Sequence, residues 1–151
     1  MITIGFSGHR DYNKNHYNHI YIETEKVLKE IRPDKVISGL AIGYDQLAAV
    51  IAFRNNIPVI GAIPFIGQEK IWPENAQETY RKIIAKCAEA VIVSGGGYEV
   101  WKLMKRNEYI VDNSDIILTY FSGVASGTKH CLDYAGKLNK QIINIYPGRA
   151  L

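Results

Sequence analysis

Short apolar runs rich in β-branched residues alternate along this chain with longer amphipathic stretches. Six runs read as strands: Ile2 to Phe6, Lys35 to Ser38, Pro58 to Ala62, Ala90 to Val93, Asp115 to Tyr120 and Gln141 to Tyr146. Each is a near-continuous series of Val, Ile, Leu and Ala, the composition of strands buried on both faces. Between them the pattern predicts helices at His16 to Ile31, Asp45 to Asn55, Glu74 to Cys87, Glu99 to Asn113 and Thr128 to Leu138, each with apolar residues at helical spacing, such as Ile20, Val27, Leu28 and Ile31 in the first. Such alternation predicts an α/β fold, a Rossmann-like three-layer sandwich with a mostly parallel six-stranded sheet and helices on both faces. No linker, repeat or low-complexity stretch interrupts it, so one domain over residues 1–151 is the expectation.

Composition narrows the class. With 151 residues and 47% hydrophobic content, roughly 70% of the unfolded surface can be buried without staples. Cys87 and Cys131 lie far apart and lack metal-ligand spacing, which argues against a disulfide framework and for a reducing compartment. Neither a metal nor a cofactor is expected. Met1 to Phe6 has no basic segment before it and reads as a core strand, and no run approaches the ~18 apolar residues of a membrane span. A cytoplasmic chain without membrane contact is the expectation. The net charge of +3 comes from scattered residues; this suits a small anion but lacks the basic stripe of a nucleic-acid binder.

In parallel sheets the C-terminal strand ends share one edge, and ligands bind there where the strand order reverses. The unusual residues of this chain sit in those loops. After the first strand, Ser7, Gly8 and Arg10 supply a hydroxyl, close backbone approach and a bidentate anion clamp; His9 reads as a local hydrogen-bonding residue. After the second, Gly39 and Gly43 lead into a helix whose free N–H groups suit a phosphate or ribose. Asp45 fits either a helix N-cap or a ribose ligand. After the third come Pro64, Phe65, Gln68, Glu69 and Trp72, where a base could stack or the aromatics could close the core. After the fourth, Ser94, Gly95, Gly96 and Gly97 imply close ligand approach or a mobile flap, and Arg106 and Asn107 follow about two helical turns in. After the fifth, Ser126, Gly127 and Thr128 open a helix as a cup for a monophosphate.

These motifs together resemble the SLOG superfamily: Gly-Phe-Ser-Gly-His-Arg at 5–10, Ser-Gly-Leu-Ala-Ile-Gly-Tyr-Asp-Gln at 38–46, Pro-Phe-Ile-Gly-Gln-Glu-Lys-Ile-Trp at 64–72, Arg-Asn-Glu-Tyr-Ile-Val-Asp at 106–112 and Ser-Gly-Thr at 126–128. The YpsA-like branch is the most similar. The resemblance implies a Rossmann-like fold that binds nucleotides or nucleotide-derived ligands. The superfamily includes LOG enzymes, which hydrolyse the N-glycosidic bond of nucleoside monophosphates, DprA-like DNA-processing proteins and sensor domains. Arg106, nine residues before Asp115, matches the LOG arginine, and Gly127 and Thr128 match its glycine-rich loop, but Cys131 stands where that pattern has glutamate. Cleavage through an oxocarbenium-like state needs a carboxylate, for which Glu69, Glu108 and Asp45 are the candidates.

Three readings follow. An N-glycoside hydrolase would use Arg106 with an acid such as Glu69 in catalysis. A sensor or sequestering protein would keep the pocket without turnover. A DprA-like nucleic-acid accessory would need a basic surface that this sequence does not display. The resemblance also allows a homo-oligomer, with no interface named.

Overall fold

The computed structural model describes residues 1–148; residues 149–151, to which the expected single domain extends, lie outside the described residues. The strands are β1 (Thr3–Gly8), β2 (Lys35–Ser38), β3 (Val59–Ile63), β4 (Glu89–Ile92), β5 (Ile116–Tyr120) and β6 (Gln141–Asn144). They alternate with α1 (Tyr17–Ile31), α2 (Tyr44–Arg54), α3 (Glu74–Lys86), α4 (Val100–Asp112) and α5 (Gly127–Lys137). The sheet is parallel throughout, in the order β4-β3-β2-β1-β5-β6. This is the α/β Rossmann-like architecture that the alternating pattern predicts.

Successive strand residues point to opposite faces, and β5 shows the division. Leu118 joins a cluster with Ile20 and Leu28 of α1, Ala48 and Ile51 of α2, and Tyr80 and Ile83 of α3. Its neighbour Ile117 joins the other, with Ile110 and Val111 of α4 and Cys131 and Ala135 of α5. Each fully buried Ile or Leu stabilises this sandwich by about 1.5–3 kcal/mol.

The order places β1 beside both β2 and β5. The chain leaves β1 through α1 on one face and leaves β5 through α5 on the other. The connections diverge, so a crevice opens at the C-terminal ends of these two strands.

Two expectations need correction. β1 runs two residues further than predicted, pairing Ser7 with Thr119 and Gly8 with Tyr120. Ser7 and Gly8 therefore sit on a central strand and not in a loop. β4 is also not buried on both faces: Glu89, Ala90 and Ile92 are exposed. It is a sheet edge, and the following helix α4 packs on β1 and β3.

Gly43, at the entry to α2, has φ +102°, and a Cβ there would lie 2.2 Å from the Arg10 carbonyl oxygen. Backbone cannot swing aside as a side-chain tip can. Gly43→Ala is expected to cost about 3 kcal/mol or more, seen in thermal denaturation as a Tm lowered by about 6–12 °C. A Tm within about 2 °C of wild type would contradict this account.

Candidate functional site

At the crevice a cavity of about 350 Å³ opens. β1 contributes Ser7 and Gly8, with His9 and Arg10 just beyond it; α2 contributes Asp45, and α4 contributes Leu103, Arg106 and Asn107. Ser126, Gly127 and Thr128 enter from the start of α5. Phe65, Gln68, Ile71, Trp72 and Tyr98 enter from the segments after β3 and β4. The sheet order separates these groups: β5 flanks β1 on one side, and β3 lies two strands away on the other. One part of the wall is therefore the polar beginning of a helix and another part is aromatic.

Arg106 and Asp45 form the charged interior. Arg106 is 7% exposed, and its Nη1 donates to the Gly39 carbonyl at 3.0 Å. A Cβ on residue 39 would come within 2.4 Å of that guanidinium, so glycine at 39 is what lets the arginine reach across the sheet. The next residue, Leu40, is buried in the left-handed region at φ +57°, a conformation costing about 1–2 kcal/mol in a non-glycine residue. Its amide donates to Ser38 Oγ, which in turn donates to the Asp45 carbonyl. This web holds the loop despite the strain.

Asp45 is not an N-cap. Gly43 occupies that position without a side-chain bond, and Asp45 lies in the first turn of α2. Its Oδ1 instead accepts from the Gly8 amide of β1 at 3.0 Å. Burial pushes its pKa up to about 7, against the opposing effects of Arg106, the Gly8 N–H and Arg10. The same burial lowers the pKa of Arg106, which Asp45 partly counters.

The β5–α5 segment brings the start of a helix into the cavity wall. Ser126 is the N-cap of α5 but makes no side-chain cap bond, which leaves first-turn amides available to an anion. Asn107 Nδ2 donates to the Gly127 carbonyl at 3.3 Å and ties α4 to this loop. His9 Nε2 accepts from the Ser122 amide at 2.8 Å, and burial lowers the histidine's pKa. With that lone pair engaged, His9 anchors a loop as the sequence suggested. On the aromatic wall, Phe65 and Tyr98 pack edge to face with centroids 5.7 Å apart. Buried Lys102 donates to the Gly95 and Gly97 carbonyls at 2.5 and 2.7 Å, pinning the glycine segment that carries Tyr98.

Of the residues singled out from sequence, Ser7, Gly8, Arg10, Asp45, Phe65, Arg106, Asn107, Ser126, Gly127 and Thr128 line one cavity. Gly39, Gly43, Pro64, Ser94, Gly95 and Glu69 lie outside its lining. Gly39 accepts Arg106 and Gln68, the Pro64 carbonyl accepts the Ser94 amide, and Gly95 accepts Lys102. These support the site from behind. Glu69 contributes its carbonyl to the Trp72 amide. Sequence reasoning did not select Ile71 or Leu103, which carry no polar signal. Gln68 was visible only as a loop residue, yet it bridges Gly39 and Tyr80 from a buried position. Among the described residues no His, Cys, Asp and Glu side chains group as a metal site, and no helix is long and apolar enough to cross a membrane.

The chain is similar to proteins of known sequence and structure. The SPbeta prophage-derived protein YoqJ of Bacillus subtilis is 31% identical over 141 residues, spanning 82% of each chain. Among solved structures, DNA processing protein A from Helicobacter pylori, described in its single-stranded DNA binding mode, superposes with a TM-score of 0.72 at 19% identity. DNA processing protein A from Streptococcus pneumoniae gives 0.76 at 18% identity. The matches cover 93% and 99% of this chain but 63% and 52% of those proteins, so they show the fold. The family model for DNA recombination-mediator protein A matches residues 3–151, and on that match across nearly the whole sequence the chain belongs to the DNA recombination-mediator protein A family.

Proposed function

We propose that the cavity binds a phosphate-bearing, nucleotide-derived small molecule, a nucleoside monophosphate or an ADP-ribose-like compound, and hydrolyses its N-glycosidic bond. The observation that carries this reading is that one cavity joins the start of α5 and Arg10 to an aromatic wall, with Arg106 and Asp45 buried in its lining. A phosphate is attracted by first-turn amides and a guanidinium, and a base by Phe65, Trp72 and Tyr98. At about 350 Å³ the space is at the small end of ligand pockets, which run from about 300 to 1,000 Å³; this favours a nucleoside monophosphate over the larger ADP-ribose-like compound. Arg106 would steady the phosphate or the developing charge.

The test is a thermal-shift screen of AMP, GMP, CMP, UMP, their deoxy forms, ADP-ribose and NAD, followed by chromatography of each stabilising compound. A ligand at about 100 times its Kd adds about 2.7 kcal/mol, a Tm rise of about 5–10 °C at this size. Free base in the products establishes hydrolysis. A ligand recovered intact assigns the protein a sensing or sequestering role. No stabilisation by any compound removes the pocket reading.

A second reading is favoured by the family match together with the solved relative described in its single-stranded DNA binding mode: the same cavity takes one nucleotide of a single-stranded nucleic acid. Short oligonucleotides in the same screen separate the two, because strand binding falls steeply with salt and exceeds that of the matching mononucleotide.

A further inference from the structure

Hydrolysis of an N-glycosidic bond requires a group that takes a proton from water, and the cavity offers few. The Cys131 thiol is buried, with its pKa pushed up to about 11, so it stays protonated at neutral pH. The His9 lone pair at Nε2 is occupied by the Ser122 amide. Glu69 and Glu108 do not line the cavity; Glu108 pairs with Lys105 on the outside of α4. Among the described residues, Asp45 is the carboxylate in the lining.

We propose that Asp45 activates the attacking water for N-glycoside hydrolysis in this pocket. The inference rests on the hydrolytic reading above and assigns the residue that performs it. Three features of position support the role. Asp45 is fixed from two directions, its carboxylate by the Gly8 amide and its carbonyl by Ser38 Oγ, so it is held without a flexible loop. It is buried beside Arg106, which lines the same cavity. It also lies beside the C-terminal end of β1, at the crevice opened where the connections leaving β1 and β5 diverge.

The step is balanced. The carboxylate takes a proton from water as the water oxygen bonds to C1′; the C1′–N electron pair leaves with the base. Asp45 then returns that proton to the departing nitrogen, so the hydrogens of the water end on the sugar hydroxyl and on the base. Charged or titratable groups that act on Asp45 are Arg106 of α4, Arg10 beyond β1, Tyr44 of α2 and Cys131 of α5. Burial raises the Tyr44 phenol far above neutrality, so the arginines are the charged neighbours at neutral pH. A carboxylate brought up to about 7 can both take and return a proton near that pH.

The experiment compares wild type with Asp45→Asn on AMP, GMP, CMP and UMP, measuring Kd by calorimetry and base release by chromatography. The expected result is base release reduced about 100-fold or more, with Kd changed far less. In wild type the rate at saturating ligand should fall tenfold per pH unit on the acid side of neutrality. That profile decides the matter on its own if Asp45→Asn does not fold. Undiminished release by Asp45→Asn, or a rate flat from pH 5 to 8, overturns the role of Asp45. Wild type that binds without releasing base overturns it while leaving the binding reading intact. Wild type that binds none of the four overturns both.

Discussion

Arg106→Ala is expected to remove ligand-induced stabilisation and to weaken the protein itself. The guanidinium is nearly fully buried, bonds the Gly39 carbonyl at 3.0 Å and lies in the field of Asp45. Removing it leaves the buried Gly39 carbonyl without that donor and Asp45 without the positive charge that acts on it, at a cost of about 1–3 kcal/mol. Asp45 softens this by taking up a proton, so the loss should be larger at pH 8 than at pH 5. For the ligand, a lost charge-assisted hydrogen bond of about 1.5–3 kcal/mol corresponds to an affinity lowered about 10- to 150-fold. Arg106→Lys is the informative control: it keeps a charge but not the planar fork that reaches Gly39. Calorimetric titration well below the Tm of each variant separates the two effects. Unchanged affinity in Arg106→Ala would show that the arginine only braces the β2–α2 loop.

The stability of the protein should also fall as pH rises through neutrality, and Asp45 should account for the fall. Its pKa moves from 3.8 to about 7 on folding, chiefly through burial. Between these values the native state holds a proton that the unfolded chain has released, so the unfolded state binds fewer protons and stability declines with pH. The contribution is fully present below about pH 4 and is lost as pH rises through about 7. Three pKa units correspond to about 4 kcal/mol. His9 works in the opposite sense, because its lowered pKa costs stability in acid, so the comparison must be made against Asp45→Asn. Urea denaturation from pH 4.5 to 8 should show wild type losing about 3 kcal/mol relative to the asparagine variant, the rest of the shift lying below pH 4.5. A difference constant to within about 1 kcal/mol would mean that Asp45 is ionised throughout.

The strand and helix sequence was legible because each element carries its own period. The runs Lys35 to Ser38 and Gln141 to Asn144 are strands at or near the predicted bounds, and Glu74 begins its helix as predicted. Edge exposure was not legible. Ala90 to Val93 has the composition of a buried strand, but its exposure depends on a neighbour that the order of the sheet does not supply.

The candidate site divides the same way. Ser7, Arg10 and the Ser126 to Thr128 loop could be picked from the sequence because they are polar or glycine-rich residues near predicted strand ends and helix starts, whereas Arg106, two turns inside its helix, stood out only through the resemblance of its motif. Parallel connections carry all such ends to one edge, whatever the strand order. The role of each residue needed the three-dimensional arrangement. Asp45 has the sequence position of a helix cap, yet its carboxylate serves a backbone amide 37 residues away, and burial raises its proton affinity against the opposing pull of Arg106, the Gly8 N–H and Arg10. Gly39 reads as a phosphate cradle, yet it makes room for Arg106. Periodicity was enough to give the fold class, and turn chemistry to mark the strand ends where the polar loops gather, because both are local. Tertiary structure decided which polar groups share one buried cavity, because desolvation and contact between residues distant in the chain exist only once the sheet has brought them together.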